Sequence, residues 1–303
     1  MNPLTKTIVA TGASSGLGFE LVKHLLTHPS SSQQTPYRLI LGARDVARTQ
    51  AAYDALQYDT ARHSLTVLPL DLSDLAATRS FARQALLRVQ QQGKGGLDYL
   101  LLNAAVIPAG SGSDGKAGPW GWCEAGVVNH LSQHYLIHLL REKLVESKTR
   151  IVVVSSGAVR RVSDVGVLEN DIKAGSGVDS ATTYCQTKFV QLLGAHWWRR
   201  QLKDQCTVVA VSPGLIPETG LGRHSGLGLH MGMPDAKPVS DGAQSILQAF
   251  TRDDLPEDPE RIFLTSWGEW WSKDVYGPSL DKALQDKWCP SKEDIEKEAG
   301  LAG

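Results

Sequence analysis

The chain has 303 residues, of which 42% are hydrophobic and 21% are charged, a balance typical of a globular protein with a sizeable core. The 31 basic and 32 acidic residues leave a net charge of −1, so no basic field attracts nucleic acid or anionic lipid. Four widely spaced cysteines with no Cys-x-x-Cys pair argue against a zinc site and a disulfide framework.

Along the chain, apolar runs rich in β-branched residues alternate with longer segments of helical period. The predicted strands are 7–11, 37–43, 65–70, 97–103, 150–156, 207–212 and 261–265, and the predicted helices are 16–28, 45–58, 74–92, 122–146, 182–203 and 240–251. Because the runs are continuously apolar, both faces of the sheet are expected to be buried. We predict an α/β fold, a Rossmann-type doubly wound sheet of seven parallel strands with helices on both faces.

The length and the pattern favour one catalytic domain over residues 1–303, ending in an appendage at about 266–303. Two long segments, 157–183 and 214–238, follow strands at the expected ligand edge and are interpreted as walls of a substrate pocket. The second is rich in glycine, so we expect it to be mobile until cofactor and substrate are bound. No apolar run approaches the roughly 18 residues of a membrane span, and a cytoplasmic protein is expected.

Three glycines, Gly12, Gly16 and Gly18, follow directly after the first predicted strand. Glycines at a strand-to-helix turn allow the backbone to approach a pyrophosphate closely, and the helix presents its free N–H groups and positive dipole end to it. The turn therefore predicts a dinucleotide site.

Six motifs occur along the chain in a fixed order: "TGASSGLG" (11–18), "NAA" (103–105), Asn129 in "VNHL", "VVVSS" (152–156), "YCQTK" (184–188) and "SPG" (212–214). In this order they resemble the motifs of the short-chain dehydrogenase/reductase family, and "RIVVVSSGAVRR" (150–161) is similar to retinol-dehydrogenase-type members. "SPGLIPETGL" (212–221) is similar to a stretch of the protochlorophyllide oxidoreductases.

The resemblance implies an Asn-Ser-Tyr-Lys catalytic tetrad made of Asn129, Ser156, Tyr184 and Lys188. It also implies cofactor contacts from Tyr184, Lys188 and a set of residues near the strand ends: Gly12, Ser14, Ser15, Gly16, Leu17, Gly18, Arg44, Asp71, Leu72, Asn103, Ala104, Ala105, Pro213, Gly214, Leu215 and Thr219.

The chemistry of the tetrad follows from its residue types. Tyr184 and Lys188 are i and i+4 on a helix, so they share one face, and an ammonium beside a phenol is expected to lower its pKa. Tyr184 is then the general acid in reduction and the general base in oxidation. Ser156 is expected to donate to the substrate oxygen, whereas Ser155 is expected to cap the strand end. Asn129 is expected to hold a water linked to Lys188.

Arg44 follows the second predicted strand, in the place where an arginine accommodates the 2′-phosphate of NADP(H). The neighbouring Asp45 is the alternative ribose partner, but it is better explained as the cap of the next helix. NADP(H) is therefore the expected cofactor.

These features favour an NADPH-dependent oxidoreductase, a ketone or aldehyde reductase or alcohol dehydrogenase, acting on an apolar small-molecule metabolite of aromatic or polyketide-like type. Two alternatives stay open: a non-redox isomerase, dehydratase or cyclase on the same scaffold, and an NADP-sensing regulatory protein. No nucleic-acid partner is expected, and a homo-oligomer is compatible with the sequence.

Histidines recur at positions 130, 134 and 138, a spacing that places them on one helix face. No carboxylate or cysteine completes a ligand set, so a surface or interface stripe is favoured over a metal site. The pair Trp197–Trp198 is interpreted as core packing, and the cluster Trp267 to Trp271 is left open between core and pocket lining.

Overall fold

The fold is a seven-stranded sheet in which every neighbouring pair of strands is parallel, in the order β3-β2-β1-β4-β5-β6-β7. The computed structural model describes residues 5–27, 35–91, 96–108, 117–222 and 225–302. The strands are β1 (Lys6–Thr11), β2 (Tyr37–Ala43), β3 (Ser64–Pro69), β4 (Tyr99–Leu102), β5 (Arg150–Val154), β6 (Thr207–Val211) and β7 (Phe263–Leu264). The predicted fold class is confirmed.

Helices connect the strands and cover the sheet. They are α1 (Gly16–Thr27), α2 (Val46–Asp54), α3 (Leu75–Gln90), α4 (Glu124–Gly126), α5 (Ser132–Glu146), α6 (Leu168–Asp171), α7 (Ser180–Gln201), α8 (Val239–Thr251), α9 (Lys282–Trp288) and α10 (Lys292–Glu298). A π-helical segment, Val127–Leu131, lies between α4 and α5 and interrupts the helix predicted over 122–146.

Neighbouring residues of one strand enter opposite layers of the core, because side chains alternate across a sheet. Ile8 of β1 packs in the layer that contains residues of α1 and α8. Val9 packs in the layer that contains residues of α3, α5 and α7. The strand order reverses between β1 and β4, which opens a crevice at the carboxyl ends of these two strands.

The C-terminal segment, defined here as residues 266–302, packs into the second of these layers. Trp288 is 4% exposed and Ile295 is fully buried, and both belong to the core cluster that contains α5 and α7. Tyr135 of α5 donates a hydrogen bond to Oε1 of Glu296 at 2.8 Å. The segment predicted as an appendage therefore forms part of the packed core.

The expectation of a surface histidine stripe is wrong, because the C-terminal segment covers this face of α5. His130 and His134 are 2% and 3% exposed. Their Nε2 atoms lie 2.7 Å from the carbonyl oxygen of Trp288 and 2.9 Å from that of Pro290. Nδ1 of His134 accepts a hydrogen bond from Nε1 of Trp198 at 2.9 Å, which confirms the core role expected of the Trp197–Trp198 pair at Trp198.

The described ranges contain neither a metal-binding cluster nor a membrane-spanning helix. No cluster of histidine, cysteine or carboxylate side chains there could hold a metal ion. None of the helices within these ranges combines the length and apolar character needed to cross a bilayer.

Burial keeps these histidines neutral in the folded protein. It lowers the pKa values of His130 and His138 to about 4 in each case, an effect that hydrogen bonds to backbone carbonyls partly offset. An unfolded histidine takes up a proton below about pH 6.5. Since the folded pKa is the lower one, stability is fully present above about pH 6.5 and is lost as the pH falls towards 4.

We therefore expect the free energy of unfolding to fall by about 1.4 kcal/mol per pH unit for each such histidine between pH 6.5 and 4. The variant His138→Gln removes one of these groups and should show a correspondingly shallower slope in urea unfolding measured from pH 7.5 to 5. His230→Gln is the matched control, because His230 is exposed. An unchanged slope in His138→Gln would contradict neutral burial of this side chain.

Candidate active site

The turn after β1 requires glycine for two separate reasons. Gly12 and Gly16 have φ values of 66° and 53°, in the left-handed region that glycine adopts without strain. A Cβ on Gly12 would lie 2.6 Å from the backbone nitrogen of Ala104, and one on Gly18 would lie 2.3 Å from the carbonyl oxygen of Gly12. The turn therefore lies in close contact with the residues that follow β4. Ser14 and Ser15 are exposed beside it.

Hydrogen bonds fix the end of β4 to this turn. Nδ2 of Asn103 donates to the carbonyl oxygen of Gly12 at 2.7 Å. The hydroxyl of Thr11 accepts from the backbone N–H groups of Asn103 and Ala104 at 3.1 and 3.2 Å. Asn103, Ala104 and Ala105 thus lie at the crevice, where the sequence predicts the adenosine side of a cofactor.

The loop after β6 returns over the glycine turn. A Cβ on Gly16 would lie 3.4 Å from Cβ of Thr219, so this predicted cofactor residue faces the turn directly. Pro213 is buried, while Gly214 has φ 93° and lies against Ser266. The chain returns to the same point at the end of the loop, where Leu215 forms a parallel bridge with Ala236.

The remaining cofactor positions lie at the ends of β1, β2 and β3. Arg44 is exposed just beyond β2, and Asp45 caps α2 by accepting from the backbone of Arg48 at 2.9 Å, as expected. Oδ1 of Asp71 accepts from the backbone N–H and the hydroxyl of Ser73 at 2.9 and 2.7 Å. The side chain of Leu72 is 6% exposed. Leu17 lies against Gly242 of α8.

Lys188 is buried to 1% exposure at the carboxyl end of β5. Its Nζ donates to the carbonyl oxygen of Val154 and to Oε1 of Gln191, both at 2.7 Å. Burial lowers the pKa of Lys188 to about 7, because the charged form loses its hydration. The ammonium is thus held by two neutral acceptors and titrates near neutrality.

Tyr184 lies one helical turn before Lys188 and is half-buried. Burial raises its pKa to about 12, and a hydrogen bond with Ser156 opposes this rise. The expected lowering of this pKa by Lys188 is not found in the protein alone, because burial is the largest effect on the phenol; the added effect of a cationic nicotinamide stays a prediction. The phenol is therefore protonated at neutral pH.

The two serines after β5 have different surroundings. Ser156 caps the 3-10 turn Gly157–Arg161, its hydroxyl accepting from the backbone of Ala158 at 3.2 Å. The backbone N–H of Ser155 continues the ladder to Val211 at 2.8 Å. The Ser155 hydroxyl is buried with no hydrogen-bond partner in the described part of the chain, so it does not cap the strand. Of the two serines, Ser156 is the one that opposes the rise in the pKa of Tyr184, and its catalytic role stays a prediction.

Asn129 lies in the π-helical segment and is fully buried. Its Oδ1 accepts from the backbone of Val106 at 2.8 Å, and its Nδ2 donates to the Val106 carbonyl and to the hydroxyl of Thr187 at 2.9 and 3.0 Å. The side chain is thus used to fix the end of β4 to α7. Oδ1 accepts a single hydrogen bond from the described residues and keeps a second lone pair, and the expected water stays a prediction.

The predicted wall 157–183 packs on the segment 119–123. Trp122 and Lys173 form an antiparallel bridge, and Nζ of Lys173 donates to the carbonyl oxygen of Trp120 at 2.6 Å. Residues 109–116, which precede this segment, lie outside the described residues. The wall is therefore attached to the chain that leads into α4.

The tryptophan cluster divides between core and surface. Trp271 is 8% exposed and carries the guanidinium of Arg160 at 5.4 Å from its ring, whereas Trp267 is 59% exposed. A Cβ on Gly157, next to Ser156, would lie 3.2 Å from the Trp271 ring. The cluster therefore lies near the candidate catalytic serine, and Trp267 is its most exposed member.

Two glutamines near the tetrad escape the sequence motifs. Gln191 contacts Lys188 directly. Gln133 accepts from the hydroxyl of Thr11 at 3.1 Å and donates to the carbonyl oxygens of Ala104, Val128 and Asn129 at 3.0 to 3.2 Å. The sequence signal that could have pointed to these two residues is a long amide side chain in a helix whose other residues are mostly buried.

Comparison with known proteins agrees with the resemblance that the sequence motifs indicate. A sequence model of the family described as short chain dehydrogenase matches residues 6–167. The chain is 57% identical over 296 residues to a short-chain dehydrogenase/reductase of Pestalotiopsis microspora, across 97% of this chain and 98% of that relative. It is 30% identical over 258 residues to retinol dehydrogenase 12 of Homo sapiens, across 82% of this chain and 74% of that relative.

Solved structures share the fold at lower identity. An alcohol dehydrogenase from Thermococcus sibiricus complexed with 5-hydroxy-NADP superposes with a TM-score of 0.61 at 20% identity, covering 86% of this chain and 95% of that chain. A short-chain dehydrogenase from Sphingobium yanoikuyae in complex with NADPH gives a TM-score of 0.60 at 22% identity, covering 92% and 94%.

The close approach at Gly18 can be tested by substitution. An alanine within a helix is favoured over glycine by about 1 kcal/mol, but in Gly18→Ala the new Cβ would lie 2.3 Å from the Gly12 carbonyl and 2.6 Å from Nδ2 of Asn103. Overpacking of this kind costs about 1–3 kcal/mol. We expect a net decrease in the free energy of unfolding, measured with urea.

Gly277→Ala is the control, because a Cβ there would meet no atom of the described residues within 4 Å. It should be neutral or slightly stabilising. A stabilised Gly18→Ala would mean that β4 does not approach the turn as closely as described.

Proposed function

Since the chain belongs to the short chain dehydrogenase family, we propose that it is an NADPH-dependent oxidoreductase for the carbonyl or alcohol group of an apolar small molecule. The observation that carries this proposal is the convergence of three side chains at the carboxyl end of β5. Ser156 caps the turn that directly follows β5, Nζ of Lys188 donates to the Val154 carbonyl oxygen at 2.7 Å, and Tyr184 lies one turn before Lys188 on α7.

The turn and crevice fit a dinucleotide. Gly12 and Gly18 leave no room for a Cβ, Ser14 and Ser15 are exposed beside the turn, and the N-terminus of α1 presents free N–H groups to an anion. Arg44, exposed at the end of β2, supports the choice of NADP(H), as do the NADP ligands named for two structures with the same fold.

The roles of the protein side chains follow from their protonation. A nicotinamide held in this crevice would supply or accept the hydride. The pKa of Tyr184 is raised to about 12, so the phenol holds its proton at neutral pH. It donates this proton to the carbonyl oxygen during reduction. Ser156 donates a hydrogen bond to the same oxygen as negative charge develops on it. Lys188 keeps one N–H position beyond its two acceptors, available to the ribose.

The proposed substrate class rests on the pocket walls and on the relatives. Trp267 presents an exposed indole close to the catalytic side, and the loop 214–238 brings Met231, 41% exposed, and the half-buried Met233. Such side chains suit an apolar ligand. The human relative is named a retinol dehydrogenase, which also favours an apolar substrate. We infer that the loop covers the nicotinamide side of the site.

A direct assay tests the function. NADPH consumption should be followed with a panel of apolar ketones and aldehydes, including a retinal, together with the amount of alcohol formed. One NADPH consumed per alcohol supports the proposal. Turnover of substrate without NADPH consumption would favour a non-redox enzyme, and NADPH binding without any turnover would favour a sensor.

Removal of the phenolic hydroxyl should abolish the proton transfer. In Tyr184→Phe we expect a decrease in kcat of at least about 100-fold, the lower range for general acid catalysis, with NADPH affinity nearly unchanged. Tyr276→Phe is the matched control, because burial also raises the pKa of Tyr276 to about 12. Activity of Tyr184→Phe within tenfold of the parent would show that another group supplies the proton.

Cofactor choice depends in this proposal on the Arg44 guanidinium. Hydrogen bonds to charged groups contribute about 1.5–3 kcal/mol, so Arg44→Ala should weaken NADPH binding by roughly 10- to 150-fold. NADH, which lacks the 2′-phosphate, should be little affected. The control is Arg48→Ala, one turn further along α2 and also exposed. Equal losses for both dinucleotides in titration calorimetry would refute the assignment.

A further inference from the structure

Lys188 has three N–H positions on Nζ and two protein acceptors. The Val154 carbonyl oxygen and Oε1 of Gln191 each lie 2.7 Å from Nζ. The side chain is 1% exposed, so its rotation is restricted by burial as well as by these two bonds. Two acceptors at fixed positions define the direction of the third N–H position, which is the only one left for a ligand or a titrating proton.

The orientation of the Gln191 amide is fixed by chemistry. Lysine can only donate hydrogen bonds, so the amide atom that faces Nζ has to be the oxygen. The Nε2 atom then points away from Lys188. It is buried and has no hydrogen-bond partner in the described part of the chain, on a residue that is 4% exposed.

Gln191 also lines a small internal cavity of about 20 Å³, together with His130, Gln133 and His134. A volume of about 10–15 Å³ is enough for one water molecule when polar groups line it. A single water here would satisfy Nε2 of Gln191. Such a water would hold the amide on the side opposite to the ammonium.

We propose that Gln191 is a positioning residue for Lys188: it holds Nζ so that the remaining N–H position faces the cofactor ribose, and it controls the protonation of this group. The proposal rests on the proposed function for the role of Lys188. It names a residue outside the Asn-Ser-Tyr-Lys tetrad, and it acts through Lys188 without touching the reacting atoms.

The physical reason lies in the neutrality of both acceptors. Burial lowers the pKa of Lys188, and no carboxylate of the described residues counteracts this lowering. The titratable groups nearby are Tyr184 on the same helix and, across the cavity, His130 and His134, whose pKa values burial also lowers. A neutral acceptor stabilises the ammonium moderately, so the group titrates near neutral pH instead of remaining permanently charged.

Two substitutions at this position should have opposite effects. Gln191→Glu places a carboxylate against Nζ and should move the basic limb of the pH profile of kcat/KM for reduction upward by about one pH unit or more, the range for an adjacent opposite charge. Gln191→Leu removes the acceptor and should move it downward. A role limited to packing would not give shifts of opposite sign.

NADPH affinity as a function of pH provides a second readout. If Lys188 binds the ribose as an ammonium, the dissociation constant of NADPH should rise at the same pH at which kcat/KM falls. Each variant should then shift both pH dependences in the same direction. This measurement needs no substrate, so it still tests Gln191 if no carbonyl compound is reduced. Such a failure of turnover would overturn the proposed function alone.

Gln186→Leu is the matched control, because Gln186 lies on the same helix, is also 4% exposed and bonds Asp171 at 2.6 Å instead of Lys188. Its pH profiles should equal those of the parent. Thermal unfolding of every variant identifies any that do not fold, and Gln191→Met replaces Gln191→Leu if required. Shifts in the same direction for the glutamate and leucine variants, or no shift in either, would overturn the proposal.

Discussion

The close approach of the β1 turn to the end of β4 is the constraint on which the site depends. Asn103 donates a hydrogen bond to the Gly12 carbonyl oxygen at 2.7 Å, and Gly12 and Gly18 have no side chain that would keep the segments apart. These two features bring two parallel strands and a helix N-terminus together around one point. Since the strand order reverses here, a crevice opens at the carboxyl ends of β1 and β4. The fold and the crevice proposed for the cofactor therefore depend on the same contacts.

A second constraint is electrostatic. Lys188 lies buried beside neutral carbonyl groups, and the cost of this desolvation is visible as a pKa lowered to about 7. The same burial raises that of Tyr184 to about 12. One environment thus favours the neutral forms of both an ammonium and a phenol. The Val154 carbonyl oxygen at the end of β5 holds Nζ of Lys188 in this environment.

The C-terminal segment connects the scaffold to this region through buried polar groups. Carbonyl oxygens of Trp288 and Pro290 accept from the imidazoles of His130 and His134, and the same histidines line the cavity next to Gln191. Neutral imidazoles can be buried here because each finds a partner, whereas a charged one would lose its hydration. The segment therefore contributes to stability and to the environment of the lysine at once.

Local patterns were sufficient for the strands and the glycine turn, because period and turn chemistry act over short distances along the chain. Other features depended on contacts between distant segments. Burial of the histidines required contacts with a C-terminal segment 156 and 158 residues away in sequence, and the raised pKa of Tyr184 followed from burial of its phenol. A glutamine three residues after Lys188 is visible in the chain, but its contact with the ammonium is not. Hydrogen-bond partners and desolvation are set by which side chains meet in space, and only the packed molecule decides that.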